Sequence, residues 1–137
     1  AEAIEDFDTQ FRFLEDWELF LRISRKWHFA FVPEPLTVSN YTPESVNQQD
    51  DRTIAETVLS LLRKHSDLFA TDERLLAQHY RRIGSHFLIA GDRQAARESL
   101  MKSLNRGKLN AKAWALLLAT VAPSRALAVW LRERHAR

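Results

Sequence analysis

The sequence predicts a mainly α protein. A short, incomplete α/β piece over residues 1–50 is followed by an all-helical region of helical hairpins over residues 51–137. Three observations carry this reading. Apolar residues recur at three- and four-residue spacing from Asp51 onward. Before that point lies His28-Phe29-Ala30-Phe31-Val32, aromatic and β-branched and of strand length. The charge balance also changes there: residues 1–50 hold 4 Lys/Arg against 10 Asp/Glu, whereas residues 51–137 hold 16 against 8.

At 137 residues, 45% of them hydrophobic, the chain suits one domain or a small composite with a buried core. With 3 Gly and 4 Pro, long loops and β-rich turn patterns are not expected. The absence of cysteine excludes disulfides and Cys-based zinc sites and leans toward the cytoplasm. The acidic, polar first residues do not read as a signal peptide. Ala113 to Ala122 is the longest strongly apolar run, about half of the roughly 20 residues a spanning helix needs. A buried helix is expected there.

Taken in order, Ala1 to Arg12 reads as irregular. A helix then opens near Leu14 and runs to about Lys26. Glu15 and Asp16 sit at its start, where the positive end of the helix dipole favours acids. Leu14, Trp17, Phe20, Leu21 and Ser24 fall on one face and are expected to point at a core. Glu15, Glu18, Arg22 and Arg25 fall on the watery side, with Glu18 and Arg22 as a favourable i,i+4 pair. Asp16 fits neither face: Leu19, Phe20 and Ile23 follow it at three, four and seven residues. A carboxylate so placed can act as a general base. The plain alternative is a first-turn acid.

These residues also carry a resemblance. Phe7-Asp8, then Leu14-Glu15-Asp16-Trp17-Glu18-Leu19-Phe20-Leu21-Arg22, then Phe29-Ala30-Phe31-Val32-Pro33-Glu34-Pro35-Leu36 resemble the C-terminal part of family 2 glycosyltransferases of the GT-A type. The resemblance covers about residues 4 to 47. It implies that Asp16 is the base that deprotonates an acceptor hydroxyl and that Glu15 is its motif partner, shaping the helix start. It offers Trp17 as a lining residue of the acceptor cleft, although an aromatic on that stripe is more often core. It implies a nucleotide-sugar donor, a saccharide or lipid-linked acceptor, and a divalent metal (Mg or Mn) in a longer parent. Asp6-Phe7-Asp8 has the spacing of a metal-binding Asp-x-Asp, but the family's metal-binding acids lie well upstream, and Asp8 matches its Phe-Asp turn. No metal ligand is therefore assigned here. Thr42 and Asn40 stand where the family often has His and Arg; in related enzymes that His can reach the metal or the diphosphate, and neither residue is present here. With its donor half missing and no initiator Met, the chain reads as a piece of a longer enzyme, inactive alone.

Residues 28–32 are expected as a strand ended by Pro33 and Pro35, which cannot donate to a ladder. Leu36 to Tyr41 is a candidate second strand, and Thr42 to Asn47 a turn. His28 has no partner at metal-ligand spacing and reads as a surface residue. Ile54, Val58, Leu61, Leu62 and His65 mark the next helix, followed by a connection capped by Thr71 or Asp72. Helices are then expected at Glu73–Ala90, Arg93–Arg106, Ala111–Val121 and Ser124–His135. Gly91-Asp92 stops one and starts the next. Tyr80, Ile83, Gly84, Phe87, Ala96 and Leu100 resemble the spacing of a tetratricopeptide repeat, and Trp114, Leu117 and Leu118 restart it 34 residues on.

The rival reading is a helical protein-interaction module without catalysis. Arg63-Lys64, Arg81-Arg82 and Arg132 to Arg134 are spread over separate helices, which argues for a solvated basic surface rather than nucleic-acid binding. Peripheral residence at the inner face of a membrane is a further expectation of the basic half. No His-Glu-x-x-His, Gly-rich phosphate loop or Gly-x-Ser-x-Gly elbow occurs, which excludes the enzyme classes built on them.

Overall fold

A computed structural model of the chain describes residues 6–38, 49–107 and 109–121. The protein is mainly helical. Six helices follow in order: α1 (Glu15–Ser24), α2 (Asp51–Lys64), α3 (Ser66–Phe69), α4 (Glu73–Ile89), α5 (Arg93–Arg106) and α6 (Ala111–Ala119). The chain divides into two compact units, Ala1–Gln49 and Asp50–Arg137. No helix among the described residues is long and apolar enough to cross a membrane.

In the first unit α1 forms where the acids predicted it, but with the opposite side buried. Glu18 and Arg22 are buried, whereas Trp17 and Phe20 are exposed. The cause lies in the segment ahead of the helix. Phe11 is buried, and the Arg22 guanidinium donates to the Asp6 carbonyl, so the 6–11 segment is tied to the polar face of α1. That face survives burial because Arg22 Nε donates to Glu18 Oε2 at 2.9 Å. The periodicity located the helix and misassigned its faces.

No strand forms among the described residues, so the expected α/β character is not seen there. Residues 28–32 run without a ladder, as do Leu36–Val38; the rest of the second candidate strand lies outside the described residues. A strand needs a partner edge, and Pro33 and Pro35 remove two donors from this one. The apolar side chains stay exposed, Phe31 to 89%. One local contact forms: the Phe20 and Phe29 rings meet edge to face at 5.7 Å. Asn40, the Thr42–Asn47 turn and the Ser124–His135 helix also lie outside the described residues.

The second unit is a succession of antiparallel helices whose ends are set by side-chain caps. Asp50 accepts from the Thr53 N–H, Asp72 from Leu75, Asp92 from Ala95 and Asn110 from Ala113, at 2.9 to 3.1 Å. Of the two cap candidates before α4, Asp72 is the one used. Gly91 turns α4 into α5 with φ of 84°, a left-handed conformation that glycine adopts without penalty.

Ala55, Leu62, Leu76, Ile83, Phe87, Leu88 and Ala96 form the core between α2, α4 and α5. Leu100, Leu104 and Ala113 continue it under α6. The α4–α5 contact is close because Gly84 has no side chain; a Cβ there would lie 2.6 Å from Leu100 Cγ and 3.2 Å from the Ala96 carbonyl oxygen. Beside it the buried Ser103 hydroxyl donates to the Ala77 carbonyl at 2.7 Å. Of the residues with tetratricopeptide-like spacing, Ile83, Gly84, Phe87, Ala96 and Leu100 are buried, while Trp114 and Leu118 of the restart are exposed.

Candidate active site at the start of the first helix

The candidate site is the N-terminal end of α1. It begins at Leu14, which holds φ 62°, ψ 26°, a left-handed backbone unusual for a leucine. Leu14 provides no side-chain cap. Three acids follow in the first turn, Glu15, Asp16 and Glu18. They offset the open amides and the positive end of the helix dipole.

The three acids have different surroundings. Glu18 is fully buried and paired with Arg22. Glu15 is half-buried. Asp16 is exposed, and its Oδ1 accepts from the Trp17 N–H at 2.8 Å. The burial of Asp16 expected from Leu19, Phe20 and Ile23 is not seen: Asp16 and Phe20 are exposed, while Leu19 and Ile23 are half-buried. The remaining acceptor capacity of the Asp16 carboxylate faces solvent, where a hydroxyl could reach it.

Trp17, which the stripe predicted as core, is 58% exposed. Its ring follows directly on Asp16, and Phe20 stands one turn on, also exposed. The structure thus places an accessible carboxylate beside accessible aromatic surface.

Asp8 belongs to the turn that packs on α1. Its carboxylate accepts from the Gln10 N–H at 2.9 Å and its carbonyl from the Phe11 N–H at 3.0 Å. These two bonds form an Asx-type turn. Among the described residues no group of three or more His, Asp or Glu is placed to hold a metal ion.

The feature that sequence reading missed is the burial of the Glu18–Arg22 pair. Its signal was present as an acid and a base four apart, a spacing equally suited to a solvated surface. What distinguishes the two is the covering segment, anchored through Phe11 and the Asp6 carbonyl.

No protein-family model, no curated protein and no solved structure matches this chain.

Proposed function

We propose that the first unit is the acceptor side of a sugar-transferring domain, the C-terminal end of a GT-A-type fold, and that Asp16 is its general base. In this reading the Asp16 carboxylate takes the proton of an acceptor hydroxyl as that oxygen attacks the anomeric carbon of a nucleotide sugar, and a nucleotide diphosphate leaves. Glu15 helps set the start of the helix, and Trp17 offers its ring to the acceptor. The observation that carries the proposal is the accessible Asp16–Trp17 pair following a left-handed Leu14, since strained backbone collects at functional sites. The exposed run from Trp27 to Val38 supports it: a strand edge supplied by the rest of a longer domain would cover those side chains. Donor and any divalent metal are assigned to that portion. This chain alone is then expected to show no transfer and no binding of nucleotide diphosphates by calorimetry, with or without manganese.

The test is Asp16→Asn in the full-length parent. Loss of a general base lowers turnover on the order of a hundred to ten thousand fold, while donor binding survives. Turnover within a few fold of wild type would end the assignment. Because Thr42 and Asn40 replace the family's His and Arg, Thr42→His serves as the positive control.

The second reading, a helical interaction module, applies to residues 50–137. Its support is the capped hairpin packing of α2, α4, α5 and α6. The two readings are compatible: the helices would dock or locate a catalytic domain.

A further inference from the structure

The outward side of the first turns of α4 is cationic. From Arg74 to Gly91 the chain holds no Asp or Glu. Arg74, Gln78, Arg81 and Arg82 recur at i, i+4, i+7 and i+8 and so share one side of the helix. Arg74, Gln78 and Arg82 are exposed, and Arg81 is half-buried. Leu75, at the margin of this row, is 42% exposed. Three other cations of the unit have partners: Arg52 meets Asp92 at 2.8 Å, Arg97 meets Thr120 Oγ1 at 2.9 Å, and Arg106 meets Glu73 at 3.1 Å. That last pair also occupies the one acid of α4. Among the described residues no acid lies within ion-pair reach of Arg74, Arg81 or Arg82.

A solvated helix face ordinarily intersperses both signs, and opposite charges at i,i+4 relieve the repulsion between like ones. This face has no such relief. Its field reaches into the unit, where burial first, and then the Arg82 charge, lower the His79 pKa.

The row also selects the kind of anion. Arg74, Gln78 and Arg82 make a straight i±4 ridge of about 12 Å. A partner helix packs along such a ridge, and carboxylates four apart on it would meet the guanidinium groups as bidentate pairs. Between them the Gln78 amide can both donate and accept. Leu75 supplies apolar contact at the side. Nucleic acid is matched less well. Three cations neutralise few phosphates, and α4 opens no aromatic ring to stack a base. Phe87 is buried, and Lys102 Nζ and Arg106 Cζ stand 5.7 and 5.1 Å over the Tyr80 ring. A bilayer would find only Leu75 to bury on this face.

We propose that the Arg74–Gln78–Arg82 ridge of α4, with Arg81 beside it, docks an acidic helix of a partner protein. The proposal rests on the reading of residues 50–137 as an interaction module and names the partner of that module. It makes no use of the sugar-transfer reading.

The experiment is fluorescence anisotropy of the full chain with a labelled alanine-based helical peptide. The peptide carries Glu at i, i+4 and i+8 and Leu at i+3, and a twin has Gln in place of each Glu. The chain should bind the Glu peptide and not the Gln twin, and raised salt should weaken the complex. Arg74→Gln with Arg82→Gln alters exposed side chains that hold no ion pair, so the melting temperature should stay unchanged. Binding of the Glu peptide should weaken about tenfold. Arg63→Gln with Lys112→Gln removes the same net charge from exposed positions on other helices and should leave binding within about twofold. Failure of the wild type to bind the Glu peptide overturns the proposal, as does equal binding of the Gln twin. Equal losses in the two double variants would show a general charge effect and overturn it too. Binding that Arg74→Gln with Arg82→Gln leaves unchanged overturns the α4 site while keeping the module reading. Tighter binding of a labelled oligothymidylate than of the Glu peptide would assign the face to nucleic acid and likewise overturn it.

Discussion

Arg22 reaches both Glu18 and the Asp6 carbonyl from the buried side of α1, with its Nε 2.9 Å from Glu18 Oε2. One guanidinium thus neutralises the fully buried carboxylate and fastens the segment that buries it. Removing either partner leaves the other charge desolvated. Breaking such a pair costs about 3–5 kcal/mol, whereas replacing both members by apolar residues of similar volume is near neutral. Glu18→Ala should therefore destabilise the first unit strongly. Glu18→Leu with Arg22→Met should recover most of the loss, while freeing Asp6. Amide hydrogen exchange in α1 reads both outcomes, and equal protection in Glu18→Ala and wild type would refute the account.

Gly84 and Leu100 give a second, independent prediction. Gly84→Ala places a methyl group 2.6 Å from Leu100 Cγ in a packed core. Overpacking of this kind costs about 1–3 kcal/mol. Leu100→Ala alone should destabilise by leaving a cavity, yet the two together should lose less than the sum, because the new methyl group occupies part of the vacated space. A denaturant titration of the four proteins measures the coupling; strict additivity would contradict the contact.

Acid should weaken the second unit in two windows. Burial, and then the nearby Arg82 charge, hold the His79 pKa below its ordinary 6.5. The unfolded chain therefore binds a proton more readily, and stability falls as pH drops from 6.5 through the lower folded value. The Asp50 and Asp92 carboxyls are held below 3.8, chiefly by the backbone N–H groups they accept, Thr53 and Ala95. Their contribution is complete above 3.8 and is lost as pH falls through their folded values. His79→Gln should flatten the melting-temperature profile just below pH 6.5 and leave the acid limb below pH 4 in place. A profile unchanged by that variant would show that His79 does not report burial.

Much of the second unit was legible before any coordinates. Asp72, Asp92 and Asn110 cap helices because a side-chain oxygen two or three residues ahead of open amides has few better uses, and that rule is local. Gly91 follows the same logic. The first unit was less legible because its decisive contacts join distant positions. Which side of α1 is buried depends on where Asp6 and Phe11 fold, and no window of helical length contains that information. The rule that charges face water then pointed the wrong way for Glu18 and Arg22, and it sent Trp17 inward. For residues 28–32, composition spoke for a strand, but a strand is a pairing and not a property of one segment. The candidate site was legible in its residue types and not in its exposure: Asp16 and Trp17 are accessible for the same reason that Glu18 is not.

Leu14 has a consequence of handedness. Its backbone sits where an L-residue crowds its own Cβ against the neighbouring carbonyl, and where the mirror-image residue would rest at ease. A D-leucine introduced at this position by chemical ligation would keep the side chain and remove the crowding. In nearly every other position of α1 the same inversion would break the helix. The entrance to the Glu15-Asp16 turn is thus a point where the chirality of the chain opposes its path, and a synthetic protein could reverse that opposition with a single stereocentre.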